Sequence, residues 1–219
     1  MGTVVNGSTP SRKEASYWGG EIPWVSSGEV RNNAITQTRE HITDGGHASC
    51  SVRLLQPGTV LLAMIGEGRT RGQSAILKIA ATINQNIAAV LPNQEALDSE
   101  YLWRWLQSRY ESTRGCGSGS GPQALNCRRV RELPLCLPPL PEQHAIVRRV
   151  EQLFALADSI EKQAAAGTVR VEKLTQAILA KAFRGELVPT EAALARRAGR
   201  DYESVKPPDR EKSNRLDFS

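Results

Sequence analysis

The feature that most restricts this chain is a ladder of apolar residues towards its C-terminal end. Ile146, Val150, Leu153, Ala157, Ile160, Ala164, Gly167, Val171, Leu174 and Ile178 follow one another in alternating steps of four and three. That alternation is the seam of a coiled coil, sustained for more than four heptads. A helix from Glu142 to Arg184 would be about 65 Å long at about 1.5 Å per residue. A domain built from the preceding part of the chain is too small to cover such a rod, so the stripe is expected to pack against a second helix. Ala164 and Gly167 make the middle of the seam small, which lets two helices approach closely. Gly167 also weakens its helix by about 1 kcal/mol relative to Ala, and can instead mark a break. The competing reading is an ordinary amphipathic helix lying on its own domain.

The seam also sets the organisation of the rest. Leu137-Pro138-Pro139-Leu140-Pro141 stops any strand and presets the first turn of a helix. Ahead of it lie all four tryptophans, Trp18, Trp24, Trp103 and Trp105, and most of the glycines. There the pattern is mixed. Gly58–Gly66 and Ser74–Ile79 read as buried strands, as does Ile87–Leu91. Glu67 to Gln73 reads as a tight turn between the first two. Asn93 to Thr113 reads as helix, with Tyr101, Leu102, Trp105 and Leu106 on one face. Gly115 to Gly121 reads as a glycine-serine loop. Beyond the long helix, Gly185 is a C-cap, Pro189 a stop, and Thr190 the N-cap of a short second helix. The expected fold class is α+β: a mixed α/β domain over 1–140, a long coiled-coil helix over 141–184, and a short helix with a charged tail over 185–219.

Several function classes are excluded. There is no apolar run of the roughly 18 residues a membrane helix needs. Met1 to Gly7 has neither a basic segment nor an apolar core, so no secretory signal is expected and the cytoplasm is the default location. Cys50, Cys116, Cys127 and Cys136 form no CxxC pair, and with His41, His47 and His144 they do not make a zinc pattern. No P-loop, GxGxxG turn, HExxH or GxSxG motif is present. Neither a methyltransferase cofactor loop nor an Asn/Asp-Pro-Pro-aromatic tetrapeptide occurs. His144, beside Gln143 on the long helix, reads as a surface residue. No catalytic residue, cofactor or metal is expected.

What remains is a binding surface. The formal charge is +5, a mild bias towards a polyanion. Residues 1–140 carry 14 basic side chains, 12 of them Arg, against 11 acidic ones. The guanidinium fork suits phosphate and guanine edges, although an Arg-rich bias also follows from a GC-rich genome. Arg69, Thr70, Arg71 and Gln73 sit on the turn between two strands and can enter a groove or clamp phosphates; the bland alternative is a solvated hairpin. Gln85 and Asn86 each offer a donor and an acceptor to an adenine edge; the bland alternative is that Asn84 and Asn86 cap local backbone. Ser118, Ser120 and Gln123 on the glycine loop can bond phosphates.

In order along the chain, several segments together resemble the DNA specificity subunit of type I restriction-modification systems. They are Asn6 to Pro10, Tyr17 to Val25, and Gly66 to Gly72 with its Gly-Arg-Thr-Arg-Gly core. Next come Ile83 to Asn86, Tyr101-Leu102, Gly117 to Gly119 with Leu125-Asn126, and Leu137 to Gln143. Lys181 to Val188 and Leu194 to Arg197 complete the series. The resemblance implies a target recognition domain followed by a conserved spacer helix. A full-length member has two such units in tandem, each reading one half of a split double-stranded DNA site. Their helices pair antiparallel, while methyltransferase (M) subunits and, through them, restriction (R) subunits supply the catalysis. This chain holds one unit, and so reads either as the C-terminal half of a longer protein or as a half-sized subunit. A homodimer through Ile146, Val150, Leu153, Ala157, Ile160, Val171, Leu174 and Ile178 is expected, with a palindromic bipartite site. The rivals are a protein-only scaffold that docks through the helix without binding DNA, and a fragment of a fused restriction-methylation enzyme.

Overall fold

The computed structural model describes residues 2–66, 69–115 and 125–202. They fall into two compact units, Met1–Leu153 and Phe154–Ser219.

The first unit is built on a five-stranded sheet. Its strands are β1 (Gly2–Asn6), β3 (Asn33–Ile35), β5 (Val60–Ala63), β6 (Ser74–Leu77) and β8 (Ile87–Pro92), in the order β1-β8-β5-β6-β3. Neighbours are antiparallel except β3, which runs parallel to β6. A smaller sheet pairs β2 (Trp18–Val25) with β4 (Glu40–Ile42) on one side and β7 (Thr82–Ile83) on the other. Among the described residues, five α-helices begin in this unit. They are α1 (Asp44–Ala48), α2 (Ser99–Ser108), α3 (Tyr110–Gly115), α4 (Cys127–Arg131) and α5 (Leu140–Phe183), the last continuing into the second unit.

The unbroken apolar runs of β5 and β6 have a direct cause. Every residue of both strands is buried. Alternate side chains of a strand point to opposite faces, and here both faces are covered. Val60, Leu62 and Ile76 pack with Leu102, Leu106 and Trp103 of α2 in one cluster. Leu61, Ala63, Ala75 and Leu77 pack with Val25, Ile35 and Ile83 in another. A strand covered on both sides loses the polar alternation of a half-exposed one.

The N-terminal segments owe their motifs to packing. Gly7 lies so close to β7 that a Cβ there would come within 1.8 Å of the Ile83 carbonyl oxygen, leaving room only for hydrogen. Trp24 is buried and donates from its indole to the Ser8 carbonyl at 3.2 Å. Trp18 meets Trp24 edge-on, with ring centres 5.1 Å apart. The Arg12 guanidinium lies 3.7 Å from the Trp18 ring centre and pairs with both oxygens of Glu40. Arg12 holds the Glu40 carboxyl below its ordinary range, chiefly by hydrogen bonding.

The helical reading of 93–113 needs a correction. Residues 93–98 form a turn in which Asn93 accepts from Glu95, Ala96 and Leu97. Helix α2 starts only after Asp98, whose carboxylate accepts from Tyr101 N at 2.8 Å, and it gives way to α3 at Arg109. Asp98 is a strong N-cap, and a cap sets the start of a helix regardless of how well the preceding residues tolerate one.

The start of α5 is held by a buried amide. Gln143 is fully buried; its Oε1 accepts from Asp98 N at 2.8 Å, and its Nε2 donates to Pro138 O at 2.8 Å and Ala96 O at 2.9 Å. The phenol of Tyr101 donates to Cys136 O at 2.8 Å, and burial raises its pKa. Val147 joins the cluster beneath α2. The polyproline boundary is therefore sewn to the first unit by three side chains.

In the second unit α5 continues without interruption through Gly167 to Phe183. Gly185 adopts a left-handed φ of +72° and ends it. Helix α6 (Glu191–Ala198) begins at Thr190, whose hydroxyl accepts from Ala193 N, and ends at left-handed Gly199. Among the described residues no helix is long and apolar enough to cross a membrane.

Candidate nucleic-acid interface

Strand order brings the candidate residues of the first unit to one end of the large sheet. The connection from β5 to β6 is a hairpin: Gly72 N donates to Ala63 O and Ala63 N to Gln73 O, both at 2.9 Å. The turn closes by Gln73 N donating to Thr70 O at 3.0 Å. Gly66 and Gly72 flank it with φ of +142° and +84°, backbone conformations that side chains beyond hydrogen strain. Arg69 is exposed, and Thr70, Arg71 and Gln73 are half-buried.

The turn from β7 to β8 lies at the same end, because Ala63 at the close of β5 pairs with Ile87 at the start of β8. Asn84 is buried and shapes this turn: its side-chain oxygen accepts from Asn86 N at 3.1 Å and its carbonyl from Ile87 N at 3.3 Å. An Asx turn of this kind leaves the next side chain pointing outward, and Gln85 is exposed. Gln85 accepts from the hydroxyl of Thr9, which places the Asn6–Pro10 segment there too.

Met64 ties these segments together. Its N–H donates to Asn86 O at 2.9 Å, and its carbonyl accepts from Leu125 N at 3.0 Å. The arginine turn, the Asn84–Asn86 turn and the chain at Leu125 thus converge at the root of one hairpin. Glu67 and Gly68 of the expected turn, and Ser118, Ser120 and Gln123, lie outside the described residues.

Two further residues at this end escaped the sequence reading. Asn32 has a left-handed φ of +56°, and its side-chain oxygen accepts from Ser74 N at 3.0 Å, locking β3 beside the hairpin. The Asn32-Asn33 pair was an available signal, since Asn is the residue beyond Gly that best tolerates this conformation. Tyr110 donates from its hydroxyl to Arg69 O at 2.7 Å, a contact across the fold with no local signature.

The assembled surface presents guanidinium forks, carboxamides and hydroxyls on a scaffold fixed by backbone hydrogen bonds. Groups of this kind can form hydrogen bonds with an anionic, donor- and acceptor-rich partner. Among the described residues no group of three or more His, Cys, Asp or Glu can hold a metal ion. Burial raises the pKa of the Cys127 thiol.

The predicted helix seam is placed as a solvent-facing stripe. Ile146, Leu153, Ala157, Ile160, Val171, Leu174 and Ile178 are exposed, and Val150 is half-buried. Of the helix's side chains, the buried ones are Gln143 and Val147, which lie off the seam.

The family model of the type I restriction modification DNA specificity domain matches residues 1–166. The EcoBI specificity subunit of Escherichia coli is 36% identical over 167 residues, covering 74% of this chain and 34% of that subunit. The EcoDI specificity subunit, also of Escherichia coli, is 47% identical over 102 residues, covering 46% and 23%. The MjaIX specificity subunit of Methanocaldococcus jannaschii is 30% identical over 168 residues, covering 74% and 38%. The chain spans less than half the length of these relatives. Among solved structures, the HsdS subunit of Thermoanaerobacter tengcongensis matches with a TM-score of 0.59 at 22% identity, over 85% of this chain and 43% of that one. A chain from a structure on complex assembly in the type I R-M system matches with a TM-score of 0.65 at 23% identity, over 85% and 44%. At these identities the likeness is one of fold.

Proposed function

This chain belongs to the type I restriction-modification DNA specificity family, and on that premise we propose that it is a non-catalytic DNA sequence-recognition unit. Residues 1–140 form the reader, 141–184 the spacer helix, and 185–219 a short helix and tail. Arg69, Thr70, Arg71, Gln73, Gln85 and Asn86 make the DNA contacts, together with Ser118, Ser120 and Gln123. The observation that carries this reading is the convergence at Met64: three segments far apart in sequence are hydrogen-bonded at one sheet end that displays Arg and carboxamide side chains.

The exposed stripe of α5 supports a second step. Residues of this size left in water at heptad spacing are what a helix presents to a partner helix. The partner is a second copy, joined through Ile146, Val150, Leu153, Ala157, Ile160, Val171, Leu174 and Ile178. Two readers held apart by paired helices recognise a bipartite, inverted-repeat site in double-stranded DNA. Methyltransferase subunits dock on this scaffold in the cell interior, restriction subunits join through them, and both chemistries reside in those partners.

The test is methylation mapping with the partner methyltransferase present. An inverted repeat with a fixed gap is expected; an asymmetric site, or methylation without a recurring motif, contradicts the proposal. If Arg69 and Arg71 contact phosphates, replacing both with Ala lowers the salt slope of binding by about two as well as the affinity. The rival protein-only scaffold also accounts for the exposed stripe, and it predicts no binding even to random duplex at low salt.

A further inference from the structure

The arginine turn is held from outside. Gly66 and Gly72 both have positive φ, a permissive backbone on either side of Arg69 and Arg71 that does not by itself fix their conformation. Helix α3 lies against it at two points. The Tyr110 hydroxyl donates to the carbonyl of Arg69, in the body of the turn, at 2.7 Å. At the far end, a Cβ on Gly72 would lie 3.3 Å from Tyr110 O and 3.4 Å from Arg114 N, so the α3 backbone rests directly on that glycine. Arg114 donates to the same hydroxyl at 3.4 Å. With a lone pair of Tyr110 taken by a cation, the hydroxyl proton is directed to Arg69 O.

We infer that Tyr110 is a positioning residue for sequence recognition, fixing the backbone at Arg69 so that Arg69 and Arg71 meet DNA from a preset conformation. This deepens the reading of the turn as a DNA contact and rests on it. Preorganisation lowers the ordering cost paid on specific binding. Non-specific binding is driven by charge and tolerates a mobile turn. Tyr110 therefore governs the ratio of specific to non-specific affinity, while the charge count stays the same.

The experiment uses the full chain and two DNA probes: a duplex enriched by the wild-type protein from a randomised library, and the unselected pool. In Tyr110→Phe the ring is kept and the hydroxyl removed. The selectivity ratio is expected to fall about three- to tenfold, the worth of one hydrogen bond, with the salt slope on random duplex unchanged. Thermal melting of the variant checks that the first unit still folds. Arg69→Ala/Arg71→Ala serves as the control for the underlying reading. If the control weakens DNA binding but Tyr110→Phe keeps the wild-type ratio, the positioning role is overturned and the turn remains a DNA contact. A parallel loss of specific and random binding in Tyr110→Phe also overturns it, because that marks general loosening. If the control itself binds as wild type, or the wild-type protein enriches no sequence, the turn is not a reader and the inference falls with that reading.

Discussion

Leu61 in β5 and Val171 in α5 both belong to regular apolar patterns, yet Leu61 is fully buried and Val171 is 64% exposed. The first pattern is satisfied within the chain: the sheet is covered on both faces by residues of the same unit. The second is left exposed among the described residues. Adjacent residues show the same contrast at close range, since Val147 is buried in the first unit while Ile146 beside it is 37% exposed. Apolar periodicity reports that a face packs, and only the amount of chain available decides whether the packing is internal. Here the first unit buries its own apolar faces, and the proposed pairing of the rod would supply a partner for the stripe that stays exposed.

Mutations that separate folding from association test this contrast. The largest expected effect is at β5. Leu61→Ala should destabilise the first unit by about 2–5 kcal/mol, measured by denaturant unfolding. Leu174→Ala should leave that unfolding transition in place and weaken self-association about a hundredfold, because a symmetric pair loses the side chain twice. If Leu174→Ala instead destabilised the first unit as Leu61→Ala does, the division into a complete domain and an incomplete interface would fail.

Gln143 sharpens the comparison at the junction. Gln143→Ala leaves the Asp98 N–H and the carbonyls of Ala96 and Pro138 without their partner. A cost of about 1–3 kcal/mol to the first unit is expected, with faster hydrogen exchange at the first turns of α5. The smallest effect is at the surface. The Glu40 carboxyl is held below its ordinary pKa by Arg12, so its contribution is present above the unfolded carboxylate range and is lost as pH falls through the lowered folded value. The pair is about half-exposed, and Glu40→Gln should cost less than about 1 kcal/mol at neutral pH and flatten the acid limb of the stability profile.

What was legible in the sequence follows the same division. The strands β5, β6 and β8 stood out because burial on both faces leaves uninterrupted apolar runs. The long helix stood out because its seam needed no knowledge of the fold, and its Pro-rich start and Gly185 end are local signals. β2 drew no strand reading: Gly19 and Gly20, which break a strand pattern, lie at a register shift between Trp18 and Ile22, and Pro23 follows within the strand. The arginine turn was identified and Gln85 and Asn86 were singled out for their carboxamides, but their meeting at Met64 depends on strand order, which no local pattern encodes. Gln143 drew no reading of its own, because what buries it is the 96–98 turn, distant in sequence.

The most direct measurement is sedimentation of the intact chain across micromolar concentrations. A paired seam gives a species of about twice the chain mass of 23.9 kDa that dissociates when Leu174 is replaced by Ala. A single species at the chain mass throughout that range would mean that the stripe does not pair with its own copy, and would remove the basis for an inverted-repeat target.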